Sequence, residues 1–370
     1  MIRMAVSTIV LTSLLQGCGP FRAATMPAAP YRAAAAPARQ KADSRVDAIG
    51  RAQIWRPTNI RALDLEAGPQ GEGAFAFGAT VNCDYVPRTL SGASPKFACG
   101  IGADHEVKVK YGGNNAEVYA EVAATRLLWA LGFGADRMYP VRVICRGCPQ
   151  EFAGIARAND EWLFDPAIIE RKMPGAEFPD DSSWSWEELA LLDGESGGAP
   201  RAHVDALKLL AVFLQHTDTK PQQQRLMCLD ESPGDVKAAD FTCTRPFLML
   251  NDVGLTFGRA NAFNGNEKAM NLVQWAATPV WKDAQQCIGN LPKSFTGTLK
   301  DPVIGEQGRA FLAGLLTQLT DAQIRALFEV SRVTLRLRSP EKARSGFPTV
   351  DEWSNVFRQK RSEIADHRCA

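Results

Sequence analysis

The 370-residue sequence predicts an α+β fold in two lobes, a strand-rich part carrying one helix followed by a mainly helical part that holds a strand pair. Three observations carry that prediction. Glu106-Val107-Lys108-Val109-Lys110-Tyr111 alternates strictly, as a half-buried strand does. The run AEVYAEVAATRLLWALG is apolar over a helical length and stops at Gly132, a residue suited to a left-handed C-terminal cap. From about residue 185 onward, helical spacing of apolar residues dominates.

Taken in order, the chain opens with one early charge, Arg3, and the apolar run AVSTIVLTSLL, which together read as a signal peptide over residues 1–17. That run is too short to span a bilayer as a mature helix, and no later segment offers about 18 uninterrupted apolar residues. Leu15-Gln16-Gly17-Cys18 resembles the lipobox of bacterial lipoproteins, so lipid attachment at Cys18 is expected. The mature protein would then be exported and tethered to a membrane of the cell envelope, facing the periplasm. An ordinary cleaved signal is the alternative. Residues 18–64, rich in Ala, Pro and Arg with few large apolar side chains, read as a disordered spacer.

Residues 65–175 form the strand-rich part. Its strand candidates are GAFAFGATVNCDYV, SPKFACGI, EVKVKYGG, YPVRVICRG and EFAGIARA, with a turn at Gly102 to His105. Residues 176–370 form the helical part. WSWEELALL and RAHVDALKLLAVFLQ come first, the second with Val204, Leu207, Leu210 and Leu214 at helical spacing. The strand pair RLMCLD and FTCTRPFLMLND follows, then helices in GEQGRAFLAGLL, DAQIRALFEVSR and VDEWSNVFRQKRSEIAD.

Composition narrows the function classes. With 42 basic and 41 acidic residues the net charge is +1, which leaves no electrostatic footprint for nucleic acid. Hydrophobic residues make up 45% of the chain, enough for a substantial core. Of nine cysteines, setting aside Cys18 leaves an even number, which suits disulfides in an oxidising compartment. Spacing suggests the pairs Cys83–Cys99, Cys145–Cys148, Cys228–Cys243 and Cys287–Cys369, although sequence alone leaves the pairing open. A metal site at Cys145-Arg-Gly-Cys148 is the rival, and it lacks a second Cys pair of that spacing. The four histidines form no HExxH pair and there is no GxSxG elbow, so a hydrolase has no evident basis.

Three segments offer chemistry. Alternation puts Lys108 and Lys110 on one strand face, where they either meet a partner or are solvated. In the next helix Glu121 heads the core-facing row Ala124, Leu128 and Leu131, and a carboxylate there wants a cation such as Lys110. Glu117 and Glu121 could instead simply favour the helix dipole. The third segment is HTDTKPQQQ from His216, followed by NDVGLTFG from Asn251. It brings Asp218 and Asp252 to one cleft, where two carboxylates and a nearby amide suit a divalent cation; either Asp taken alone is better explained by a turn.

The ordered set of Lys110, Glu121, HTDTKPQQQ and NDVGLTFG resembles the core of the protein-kinase-like fold, in particular its divergent bacterial branch related to HipA-type and phosphoinositide kinases. The resemblance implies a two-lobed kinase-like domain over roughly residues 70–335, with ATP or another nucleotide and Mg²⁺ or Mn²⁺ as cofactors. It implies that Lys110 contacts nucleotide phosphates and pairs with Glu121. Asp218 would be the catalytic aspartate, Lys220 its phosphate-contacting neighbour, and Asp252 and Gln223 the metal ligands. Gln223 stands where the family carries Asn. No clear Gly-rich phosphate loop is present; Ser91 and Gly92 are the nearest substitute, with Cys99 to Gly102 behind them. Ile168 to Gly175, including Glu170 and Lys172, falls where an inter-lobe hinge would contact the base. The expected activity is phosphoryl transfer to an unknown protein or small-molecule acceptor. The alternatives are a degenerate kinase fold that binds without catalysis and an unrelated envelope-binding lipoprotein.

Overall fold

The structure is a computed structural model that describes residues 44–102, 105–230, 241–260, 269–336 and 348–369. The expected signal peptide and Cys18 lie outside the described residues. The architecture is mixed α+β.

Strands β1 (Thr80–Val86), β2 (Lys96–Gly100) and β3 (Glu106–Tyr111) form an antiparallel meander. Helix α2 (Glu117–Leu131) then carries the chain to β4 (Arg137–Arg146), which pairs with β1 in parallel. The long strand β6 (Glu161–Arg171) pairs with β4 on one side and with β3 on the other, so the sheet closes on itself; the two-residue β5 (Ile155–Ala156) lies on β6. Closure removes the free edges that an open sheet would expose. The period of two decides the lining: Val107, Val109, Tyr139, Val141, Val143 and Ile169 fill one apolar cluster. Lys108, Lys110 and Glu170 therefore take the opposite face.

Helix α2 is buried along almost its whole length and packs on β4 and β6. A three-stranded sheet follows, β7 (Ala176–Glu177), β8 (Gln224–Cys228) and β9 (Pro246–Leu250), whose last strand is buried throughout. Helix α3 (Arg201–Leu214) packs on α5 (Glu306–Leu316), and α6 (Asp321–Val330) packs on α7 (Val350–Ala365) and reaches α2. The short helix α4 (Leu272–Ala277) sits against α7, and β10 (Trp281–Asp283) pairs with β11 (Ile288–Gly289).

Three expectations need correction. The spacer does not extend to residue 64: helix α1 (Arg45–Arg51) and the segment after it belong to the core, with Ile49, Ile54 and Ile60 buried. WSWEELALL forms a 3-10 turn over Trp186–Leu191 instead of an α-helix. The first residues of the expected hinge, Ile168 to Arg171, are strand residues of the closed sheet, paired with β3 and β4. All four suggested disulfides are formed, so the sulfurs of Cys145 and Cys148 are covalently occupied and the zinc alternative falls away.

Candidate active site

Lys110 is the centre of the site. Strand alternation turns it out of the sheet's apolar lining, and α2 lies over it, so its ammonium is 2% exposed. Such a charge must be paired. Lys110 Nζ donates to Glu117 Oε2 at 2.9 Å and to Glu121 Oε1, and it stands 3.9 Å from Asp252 Oδ2. Three carboxyl groups thus surround one cation. Burial, opposed by Lys110 and reinforced by the charge of Asp252, pushes the Glu121 carboxyl well up, and its Oε2 has no hydrogen-bond partner. Burial works against the charged form of Asp252 as well, but Lys110 and the Gly254 N–H hold its carboxyl below the usual range. Burial also opposes the charge on Lys110, and Asp252, Glu121 and Glu117 outweigh it, raising its pKa well above the ordinary value.

A hairpin supplies the other half of the site. Helix α3 ends at Gln215 in the left-handed conformation, which turns the chain into His216 to Lys220; Pro221 then opens a 3-10 turn that leads into β8. Because Gln224 pairs with Leu250, the residues before β8 and after β9 meet: Gln223 O accepts from Asn251 N at 2.8 Å and from Asp252 N at 3.2 Å. Asp218 Oδ2 accepts from Lys220 Nζ at 2.9 Å and from Gln223 Nε2 at 2.7 Å. Gly254 lies on Glu117, since a Cβ there would come within 2.6 Å of the glutamate Cγ. The expected pair Lys110 with Glu121 is therefore in contact, and Lys220 lies on Asp218; the Gln223 side chain, expected beside Asp252, bonds to Asp218, and Gln223 meets Asp252 through its backbone carbonyl.

Glu170 accepts from Lys108 at 2.5 Å and stands 3.4 Å from Lys172. Lys172 Nζ also donates to Asp136 Oδ2 at 3.1 Å and to Asn251 Oδ1 at 2.9 Å, which ties the chain leaving β6 to the residue before Asp252. A cleft of about 1270 Å³ opens beside these groups, lined by Ser91, Lys108, Glu170 and Lys172 among others. Lys110, Asp218 and Asp252 are not in its wall. Among the described residues Ser91 and Gly92 form no hydrogen bond with the Lys110 cluster; the loop reaches it through Ser94, whose hydroxyl donates to Glu117 Oε2 at 2.7 Å. Gly92, at φ 88°, lies over Lys96 Nζ.

Sequence reasoning passed over three residues. Lys96 faces Lys110 across β2 and β3, and the hairpin turn at Gly102 to His105 was signal enough to find it. Asp136 is buried, accepts from Met173 N at 2.8 Å, and is pushed up to about 6 by burial against the pull of Lys172; an isolated Asp before a strand gave no signal. His216 opens the HTDTKPQQQ segment without a role of its own. Both its ring nitrogens lack hydrogen-bond partners among the described residues, and burial, opposed by Asp218 and Asp252, pushes it down to about 4.

Chemically, the cluster offers hard oxygen donors at Asp252 and Gln223, and a cation at Lys110 next to an unpartnered buried carboxyl oxygen on Glu121. That donor set fits Mg²⁺ or Mn²⁺. No protein-family model matches the sequence, and no curated protein matches it. Among solved structures the chain is similar to the proinflammatory kinase CtkA of Helicobacter pylori, at 9% identity and a TM-score of 0.40, over 78% of this chain and 95% of that one. A likeness of that size carries no argument for activity.

Proposed function

We propose that this chain is an exported, two-lobed kinase-like phosphotransferase that uses a metal-bound nucleotide, with the lobes meeting near residue 175. The observation that carries the reading is the buried Lys110 bonded to Glu117 and Glu121 and held 3.9 Å from Asp252. An isolated structural ion pair needs no third carboxylate; a site for phosphate and a divalent cation does. In this reading Asp252 and Gln223 hold the cation, which would neutralise phosphate charge. Lys110 contributes a fixed positive charge, Lys108, Glu170 and Lys172 border the nucleotide, and Asp218, steadied by Lys220, orients the acceptor hydroxyl. The disulfides favour an oxidising compartment, in keeping with export and a lipid on Cys18.

One observation favours a second reading, binding without transfer. Lys220 and Gln223 both occupy Oδ2 of Asp218, leaving one carboxylate oxygen for an acceptor. Two variants separate the readings. Asp252→Ala should abolish Mn²⁺-dependent ATP binding measured by calorimetry. Asp218→Ala should spare that binding and lower transfer about 100-fold or more, since its role is realised in the transition state. Wild-type binding with no transfer to any acceptor supports the second reading; no binding of any nucleotide removes both.

A further inference from the structure

The loop carrying Asp218 is held from the side by a second segment. Ser294 N donates to Thr217 O at 3.1 Å, while Thr298 donates to Thr219 O through its N–H at 3.1 Å and its hydroxyl at 2.9 Å. Leu299 N donates to Thr219 Oγ1 at 3.2 Å. Both neighbours of Asp218 are thus bonded to residues 294–299. Approach is close enough that a Cβ on Gly297 would come within 2.8 Å of Thr219 Oγ1. Leu291 and Leu299 are buried at either end of the segment.

Between these anchors Phe295 is 94% exposed, the most exposed large hydrophobic side chain among the described residues. Leaving such a ring in water forgoes roughly 1.5–3 kcal/mol of burial. Lys293, Thr296 and Lys300 are exposed beside it, and neither lysine enters an ion pair among the described residues. An exposed aromatic ring on an anchored segment, flanked by cations that form no ion pair among the described residues, is the composition of a recognition surface.

Resting on the phosphotransferase reading above, we propose that Lys293–Lys300 recognises the acceptor, and that the acceptor is a protein segment carrying a large apolar side chain and acidic residues near its hydroxyl. Phe295 meets the apolar side chain, and Lys293 and Lys300 meet the acids. A small molecule is a poorer fit, because such ligands are enclosed in concave pockets. Phe295 stands free of any wall, and no residue of this segment lines the cleft. In the transfer, the acceptor oxygen bonds to the terminal phosphorus as the bridging bond to the nucleoside diphosphate breaks. The hydroxyl proton passes to Asp218.

The test uses the full oxidised chain with ATP, Mn²⁺ and a positional-scanning peptide library built around Ser, Thr or Tyr. Wild type should select an apolar residue and acidic residues at fixed offsets from the hydroxyl. Phe295→Ala should lose the apolar selection by about tenfold, and the double variant Lys293→Glu/Lys300→Glu should exchange the acidic preference for a basic one. ATP binding by calorimetry should be unchanged in both. Selection that persists in both variants overturns the proposal, as does ATP binding by the wild type with transfer to no peptide. If the wild type binds no ATP at all, the phosphotransferase reading fails first and this inference falls with it.

Discussion

At the scale of single residues, Lys110 is the group whose removal says most. Replacing it by Met leaves Glu117, Glu121 and Asp252 around an apolar side chain, with Glu121 fully buried. Breaking a buried pair from one side costs about 3–5 kcal/mol, whereas removing both partners in favour of apolar groups costs far less. Lys110→Met should therefore lose stability in that range by urea unfolding, and Lys110→Met with Glu121→Met should regain most of it. A double variant no more stable than the single one would show that Glu121 does not depend on Lys110. His216 gives a pH signature. Its pKa is pushed down to about 4 by burial, so between pH 6.5 and 4 the unfolded chain takes up a proton that the folded chain refuses. Its contribution is intact above pH 6.5 and is lost as the pH falls. Asp136, pushed up to about 6 by burial, acts with the opposite sign, so the comparison must isolate the histidine. Relative to His216→Leu, the wild type should lose up to about 3 kcal/mol on acidification from pH 6.5 to 4. A pH-independent difference would mean that His216 keeps its proton in the fold.

At the scale of elements, β3, α2 and the hairpin β8–β9 were legible because each carries an unbroken period: alternation in EVKVKY, an apolar run in α2, and five consecutive buried residues in β9. The contact of Lys110 with Glu121 followed from those periods. What the sequence concealed is closure of the sheet, since the pairing of β3 with β6 joins residues far apart in the chain. The same holds for α1 and the segment after it. Residues 44–64 hold Val46, Ile49, Ile54, Trp55, Ile60 and Leu63 where the stretch 19–43 has Phe21, Met26 and Tyr31, a contrast lost when the two are averaged as one spacer; Ile49, Ile54 and Ile60 are the ones buried. Ser44, three residues before Asp47, was a usable start signal, and its hydroxyl does cap the helix. This segment also terminates α2. Trp55 Nε1 donates to Leu131 O at 2.7 Å, Thr58 Oγ1 to Ala130 O at 2.5 Å and Arg56 N to Gly132 O at 2.9 Å, which satisfies carbonyls that a helix end leaves open. Gly132 makes this possible: its φ is 87°, and a Cβ there would lie 2.0 Å from Arg56 O. Gly132→Ala should cost about 1 kcal/mol for the left-handed backbone and more for displacing residues 55–58. Limited trypsin digestion should then cut after Arg61 faster than in the wild type; unaltered cleavage would mean the segment is held by other contacts.

At the scale of the whole molecule, the four disulfides divide by reach. Cys83–Cys99, Cys145–Cys148 and Cys228–Cys243 join residues 16, 3 and 15 apart, so each braces a neighbourhood that hydrogen bonding already orders. Cys287–Cys369 joins residues 82 apart and fastens the C-terminal end to the turn before β11. If a cross-link acts mainly by restricting the unfolded chain, the long loop is worth about 4.5 kcal/mol and the shortest about 2 kcal/mol. Local bonds will retain part of that order without the sulfurs. Cys369 N donates to Glu306 Oε2 at 2.8 Å and Arg309 donates to Ile364 O at 2.8 Å, so the end of α7 stays attached to α5 in the folded state. Those bonds act on the folded state, however, and leave the freedom of the unfolded chain untouched. Replacing Cys287 and Cys369 together by Ser should therefore lower the urea unfolding free energy by more than replacing Cys145 and Cys148 together, by about 2–3 kcal/mol. Equal losses from the two pairs would show that the unfolded chain stays compact near the C-terminus, so that the long cross-link removes no more freedom than the short one.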